Sequence, residues 1–183
     1  MEWALFVPLG YISSYAPAHG LSTTFSFQLL AILNAGSFFG RWAPGFLADK
    51  FGRFNTMIIT IAMCLVSVLA LWLTCGYGEG IVPQLVVFVL IFGFASGSNI
   101  SLVPVCVGQL CGTEVFGRWY AGLYTMVSFA CLTGIPIAGS ILERDGGAYG
   151  GLIVFVGVSY AVGLACFVWA RVLRVGWGLK EVF

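Results

Sequence analysis

Residues 34–55 read NAGSFFGRWAPGFLADKFGRFN, and the rest of the chain is best read outward from this stretch. An arginine, Arg41, interrupts an apolar run that ends at a polar cluster, Asp49-Lys50-Phe51-Gly52-Arg53. Arg41 lies eight positions before Asp49, which on a helix rising 1.5 Å per residue is roughly 12 Å from the helix end. Asn34, Ser37, Arg41, Gly45 and Ala48 are spaced by three or four residues and predict one small, polar helix stripe. Phe39, Trp42 and Phe46 fall away from it. The pattern predicts that Arg41 faces a protein interior or a watery cavity rather than lipid. Pro44 lacks an N–H, which predicts a free carbonyl at Gly40.

Composition explains why an arginine there is costly. Of 183 residues, 60% are hydrophobic and 8% are charged. A soluble domain carries roughly 25% charge, so the main solvent for this surface is lipid. Net charge is +1, with no basic field that would point to nucleic acid. Six cysteines (Cys64, Cys75, Cys106, Cys111, Cys131 and Cys166) form no CxxC pair and mostly lie in apolar runs, as small core residues do. Glu2 stands where a secretory signal would carry positive charge, so residues 1–18 read as a span.

A spanning helix needs about 20 largely apolar residues. The sequence predicts an all-α integral membrane protein with one transmembrane domain, residues 1–183, and helices at 3–18, 25–48, 54–75, 83–107, 118–142 and 149–171. Polar or glycine-rich turns separate them, including 49–53, 76–80 and 143–147. With a cytoplasmic N-terminus, Lys50, Arg53, Arg118, Arg171, Arg174 and Lys180 fall inside and only Arg144 outside, so both termini are expected to be cytoplasmic. Gly36 and Gly40 are four apart, as are Gly93 and Gly97, a spacing that lets helix backbones approach closely in lipid.

The planar guanidinium of Arg41 suits a carboxylate. Placing it at membrane depth costs on the order of 3 kcal/mol on insertion scales. Two readings offset that cost: contact with an anionic substrate, or snorkelling and structural pairing. Tyr11 and Tyr15 on the first helix and Asn99 on the fourth are further polar candidates for a path, against the alternative of bonding neighbouring helices. Ser96, Tyr124 and Ser128 are candidates of the same kind. His19, at the end of the first helix, reads as a loop histidine, against the alternative of a proton sensor. One histidine, no HExxH and no internal Asp/Glu pair leave little material for an enzyme, a metal site or a cofactor, and none is expected.

The 34–55 stretch resembles the eighth helix and following loop of fungal monocarboxylate-transporter-like proteins of the major facilitator superfamily. Gly45-x-x-x-Asp49-Lys50-x-Gly52-Arg53 resembles the superfamily's signature loop. Residues Phe6–Leu9 and Tyr11–Ala16 resemble the seventh helix, and Glu114–Arg118 the loop entering the eleventh. The resemblance covers essentially the whole chain and matches only the C-terminal half of a twelve-helix protein. It implies two six-helix halves with substrate between them near mid-membrane. Animal monocarboxylate carriers have an Asp one turn before the matching Arg; Ser37 stands there in this chain.

The resemblance implies a secondary transporter, or its C-terminal half, working by alternating access at the plasma membrane. Its substrate would be a small organic anion, such as a monocarboxylate or an acidic secondary metabolite, with or without a proton. Fungal relatives also include riboflavin carriers, which widens the class. Arg41, Asn34, Ser37, Tyr11, Tyr15 and Asn99 would form the substrate path. Gly45, Asp49, Lys50, Gly52 and Arg53 would form a gating loop, with Asp49 pairing with Lys50, Arg53 or a helix end as a latch, against the alternative of a plain topogenic turn. Expected partners are the bilayer and a missing N-terminal half or a second copy. The alternative is a non-transporting assembly partner or remnant of such a carrier.

Overall fold

The computed structural model describes residues 1–75 and 80–175, with side chains through Leu173. The expected turn at 76–80 lies mostly outside the described residues, as do Lys180 and the side chain of Arg174. Among the described residues six helices follow one another: α1 (Glu2–Ala18), α2 (Thr23–Phe51), α3 (Arg53–Val66), α4 (Ile81–Leu110), α5 (Phe116–Arg144) and α6 (Gly150–Val175). A π-helical segment, Ser67–Trp72, continues α3.

Four of these elements are long and apolar enough to cross a membrane: Arg53–Trp72, Ile81–Leu110, Phe116–Arg144 and Gly150–Leu173. Helix α1 has 17 residues. Helix α2 has 29, but Asn34, Arg41 and several glycines dilute its apolar content.

Helix boundaries have local causes. Ser22 caps α2 by accepting from Phe25 N at 3.2 Å, which satisfies one of the free N–H groups at a helix start. The reversal from α2 to α3 is tighter than the sequence suggests. Asp49, Lys50 and Phe51 are still helical, and Arg53 already opens α3. Only Gly52 lies between them, at φ 88°, a left-handed conformation that costs glycine little. Gly52 N donates to Ala48 O at 3.0 Å and Gly52 O accepts from Thr56 N at 3.0 Å, so both helices end on this residue.

The expected single helix at 54–75 also differs. At Leu73 the backbone bond steps back to Val68 O, five residues earlier, at 3.0 Å. This wider turn brings Ser67, Val68 and Trp72 to buried positions. Trp72 then stacks on Phe88 of α4 with ring centroids 5.1 Å apart. No proline or glycine marks the distortion in the sequence.

The bundle is built around α4, whose buried side includes Phe88, Phe92, Ala95, Ser96 and Asn99. Helix α2 lies along one side of it, α3 along another, and α6 packs behind α3. Helix α1 contacts α2, α5 and α6. The α1–α5 contact is tied by Trp3 Nε1 donating to Thr133 Oγ1 at 3.0 Å and Tyr11 OH donating to Ile135 O at 3.2 Å. All six cysteines stand as thiols.

Candidate functional site

The stripe of α2 that packs is one step round from the predicted one. Leu29, Leu33, Gly36, Gly40, Pro44 and Ala48 are buried. Asn34, Arg41 and Gly45 are exposed, and Ser37 is half-buried at the margin. Arg41 therefore lies on the surface of this six-helix unit, and Ala48 has left its company. The reason is backbone proximity: two glycine pairs meet face to face. A Cβ on Gly36 would sit 2.9 Å from Leu90 O, and one on Gly40 would fall on Phe94 O. From the other side, a Cβ on Gly93 would meet Leu33 O, and one on Gly97 would lie 2.8 Å from Ser37 Oγ. Only glycine allows main chain to touch main chain here.

This seam also occupies the carbonyl expected to be free at Gly40. Ser98 Oγ donates to Gly40 O at 2.9 Å from a fully buried position. Ser98 was not among the sequence candidates. Pro44 signals the freed carbonyl, but nothing in the linear sequence says which residue reaches it.

The sequence candidates separate into distinct places. Asn99 lies on α4 with its side chain bonded to α3. It is fully buried, accepts from Thr60 Oγ1 at 2.9 Å and contacts Cys64 Sγ through Nδ2 at 3.6 Å. Its bonds are spent on holding α3 against α4. Tyr15 is buried near the end of α1, where its hydroxyl donates to Cys75 O at 2.7 Å. Counting 1.5 Å per residue back along α1 and α2, Tyr15 is roughly 20 Å from Arg41 along the bundle. Tyr11 is half-buried and bonded across to α5. The bundle thus keeps Arg41, Asn34 and Ser37 together on α2 and does not bring Tyr15 or Asn99 to them.

Among the described residues Asp49 makes no ion pair, and neither does Arg41. Asp49 and Lys50 are exposed on the last turn of α2, while Gly45 is exposed within that helix. Arg53 is half-buried at the start of α3. The expected gating loop is therefore two helix ends joined by Gly52.

A separate cavity of about 280 Å³ opens where α1 and the α3 continuation end and α6 begins. Tyr15, His19, Cys75 and Tyr149 are among its lining residues. His19 stacks on Tyr15 at 4.1 Å, and Tyr149 meets Tyr15 edge-on at 5.0 Å. Burial raises the pKa of the Tyr149 hydroxyl above its usual range. These rings pack mainly on one another. Among the described residues no three His, Cys, Asp or Glu side chains gather as a metal site.

Packed apolar helices, four of them long enough to cross a bilayer, define a multi-pass membrane protein. Residues 6–174 match the family described as Sugar (and other) transporter, and the chain belongs to that family, within the major facilitator superfamily. It is 39% identical over 176 residues to a riboflavin transporter of Saccharomyces cerevisiae, an alignment covering 96% of this chain and 33% of that protein. An MFS-type transporter of Penicillium oxalicum is 40% identical over 179 residues, covering 98% of this chain and 41% of the relative. An MFS-type transporter of Aspergillus fumigatus is 40% identical over 176 residues, covering 95% and 39%. The chain thus spans 33–41% of the length of these curated relatives.

Proposed function

We propose that this chain forms the C-terminal six-helix half of a secondary transporter for a small organic anion, with Arg41 as the anion contact. The observation that carries the reading is the placement of Arg41. It is exposed, unpaired among the described residues, and well inside a helix whose opposite side is locked against α4. A guanidinium at membrane depth needs a compensating partner, and a carboxylate matches its planar donor geometry. Asn34 and Ser37, on the same side of α2, supply neutral polar contacts beside it. The family supports transport as the activity.

In this reading all six helices span the membrane and both termini are cytoplasmic. A second six-helix unit faces α2 and α5, and a membrane such as the plasma membrane houses the pair. Tyr15 and Asn99 hold the bundle together and do not contact substrate. Asp49, Lys50 and Arg53 form a charged hinge around Gly52 whose pairing changes during alternating access.

The test is flux of labelled pyruvate and benzoate, measured in both directions, in yeast cells producing the chain joined to the N-terminal half of a related carrier. Arg41→Ala is expected to lower flux at least tenfold, with Arg41→Lys in between because a lysine cannot bind bidentately. Unchanged flux in Arg41→Ala overturns the role of Arg41. Absence of any anion flux by the wild-type chain overturns the transport reading.

A further inference from the structure

We infer that Ser98 is the positioning residue for Arg41, acting through the backbone carbonyl of Gly40. The inference rests on the anion-contact reading of Arg41 for its functional meaning, but its geometry stands apart from that reading.

Gly40 directly precedes Arg41. In an uninterrupted α-helix its carbonyl would accept from the N–H four residues on. That position is Pro44, which has no N–H. Proline within a helix is a common origin of a kink, and a carbonyl left without a donor in an apolar medium is costly. Ser98 supplies the missing donor from another helix, with Oγ 2.9 Å from Gly40 O. The same hydroxyl lies 3.1 Å from Phe94 O on its own helix, the back-bond a serine makes when nothing better is offered. One proton serves both sites, so the bond to Gly40 competes with a bond inside α4.

The contact is closely confined. Gly40 is so near Phe94 that no Cβ fits between them, and Ser98 is fully buried. Ser98 therefore fixes α2 at the peptide next to the arginine, while the Arg41 side chain extends to the exposed side. Loss of the hydroxyl frees the backbone at the root of that side chain and leaves the glycine seam in place. The consequence is a change in where the guanidinium sits, and so in how well it meets a planar anion.

The same geometry predicts a specific rescue. Pro44→Ala restores an N–H to the Gly40 carbonyl and makes the Ser98 donor redundant. A serine that mattered only by filling space would show no such dependence on position 44.

The experiment measures the rate of phenylglyoxal modification of Arg41 in detergent-purified full chain, by peptide mass spectrometry. Arg118 on α5 serves as an internal reference, and benzoate is the protecting anion. Ser98→Ala is expected to change the Arg41 rate threefold or more, leave the Arg118 rate unchanged, and raise the half-protecting benzoate concentration at least fivefold. Ser98→Thr should return both readouts to within twofold of wild type. In a Pro44→Ala background, Ser98→Ala should have little further effect on either. A wild-type Arg41 rate in Ser98→Ala overturns the inference, and so does an equal effect of Ser98→Ala with proline or alanine at 44. If benzoate protects nothing in the wild type while the Ser98→Ala rate change and its rescue persist, the positioning is supported and the anion reading of Arg41 falls. If Ser98→Ala does not stay monodisperse, comparing Ser98→Thr and Pro44→Ala/Ser98→Ala with wild type decides the matter; failure of the double variant to recover a folded, wild-type-like Arg41 rate overturns the inference.

Discussion

Helices α4 and α5 are nearly equal in length, at 30 and 29 residues, and both are apolar enough to span a bilayer. Their environments are opposite. In the most apolar 18-residue window of each, 61% of α4 is buried inside the unit and 11% of α5. Only Gly134 and Ala138 of α5 are buried, Gly134 against Trp3 of α1. Apolar content qualifies both helices for lipid but does not choose the central one. That choice follows from small and polar residues. Helix α4 presents Gly93 and Gly97 to α2, Ser98 to the Gly40 carbonyl, and Asn99 to α3. In lipid, apolar side chains gain little by leaving acyl chains for one another, so close backbone approach and interhelical hydrogen bonds decide which helices associate.

Three substitutions test this contrast, from the largest expected effect to the smallest. Gly97→Leu places a branched side chain where Ser37 backbone already sits. Overpacking costs about 1–3 kcal/mol where a site can yield, and backbone on both sides leaves little room to yield here. Thermal unfolding in nanodiscs should show a large fall in midpoint or no folded protein; a near-wild-type midpoint would break the claim that the seam organises the bundle. Asn99→Leu removes the acceptor for Thr60 and the contact to Cys64. A buried interhelical bond in a membrane protein is worth about 0.6 kcal/mol on average and up to about 1.7, so unfolding by detergent titration should register a loss in that range. Anion flux should survive in this variant, because the bonds of Asn99 join α4 to α3 and not to α2. Met126→Ala, at a residue of α5 that is 78% exposed, should stay within about 0.5 kcal/mol of wild type in the same titration. A loss at Met126 equal to that at Asn99 would erase the distinction between the two helices.

Much of the architecture was legible from the chain. The density of apolar residues gave six helices close to their observed limits, and the paired glycines gave the tight approach that the structure places between α2 and α4. Residues 49–53 read as a turn, and within it Gly52 alone carries the α2–α3 reversal. The candidate site was legible only in part. Periodicity kept Asn34, Ser37 and Arg41 on one side of α2 and assigned that side to a protein interior or a watery cavity, but could not say that it lies on the open side of this unit. Periodicity fixes angles between residues on one helix; it does not say which angle meets a neighbour. Tyr15 and Asn99 read as path candidates because they are polar groups in apolar spans, a property they share with Arg41. Their hydrogen bonds to Cys75 and Thr60 are contacts between residues 60 and 39 positions apart, which no local pattern records.

The sequence by itself determined the solvent, the helical class and the family of this protein, because those follow from summed composition and local spacing. It also marked Pro44 as a place where a carbonyl loses its donor. Tertiary structure alone decided that Ser98 fills that vacancy, that α4 and not α5 occupies the centre, and that Arg41 is left on an open side. Each of these depends on which backbones can approach one another in three dimensions, and on which polar groups then fall within hydrogen-bonding reach.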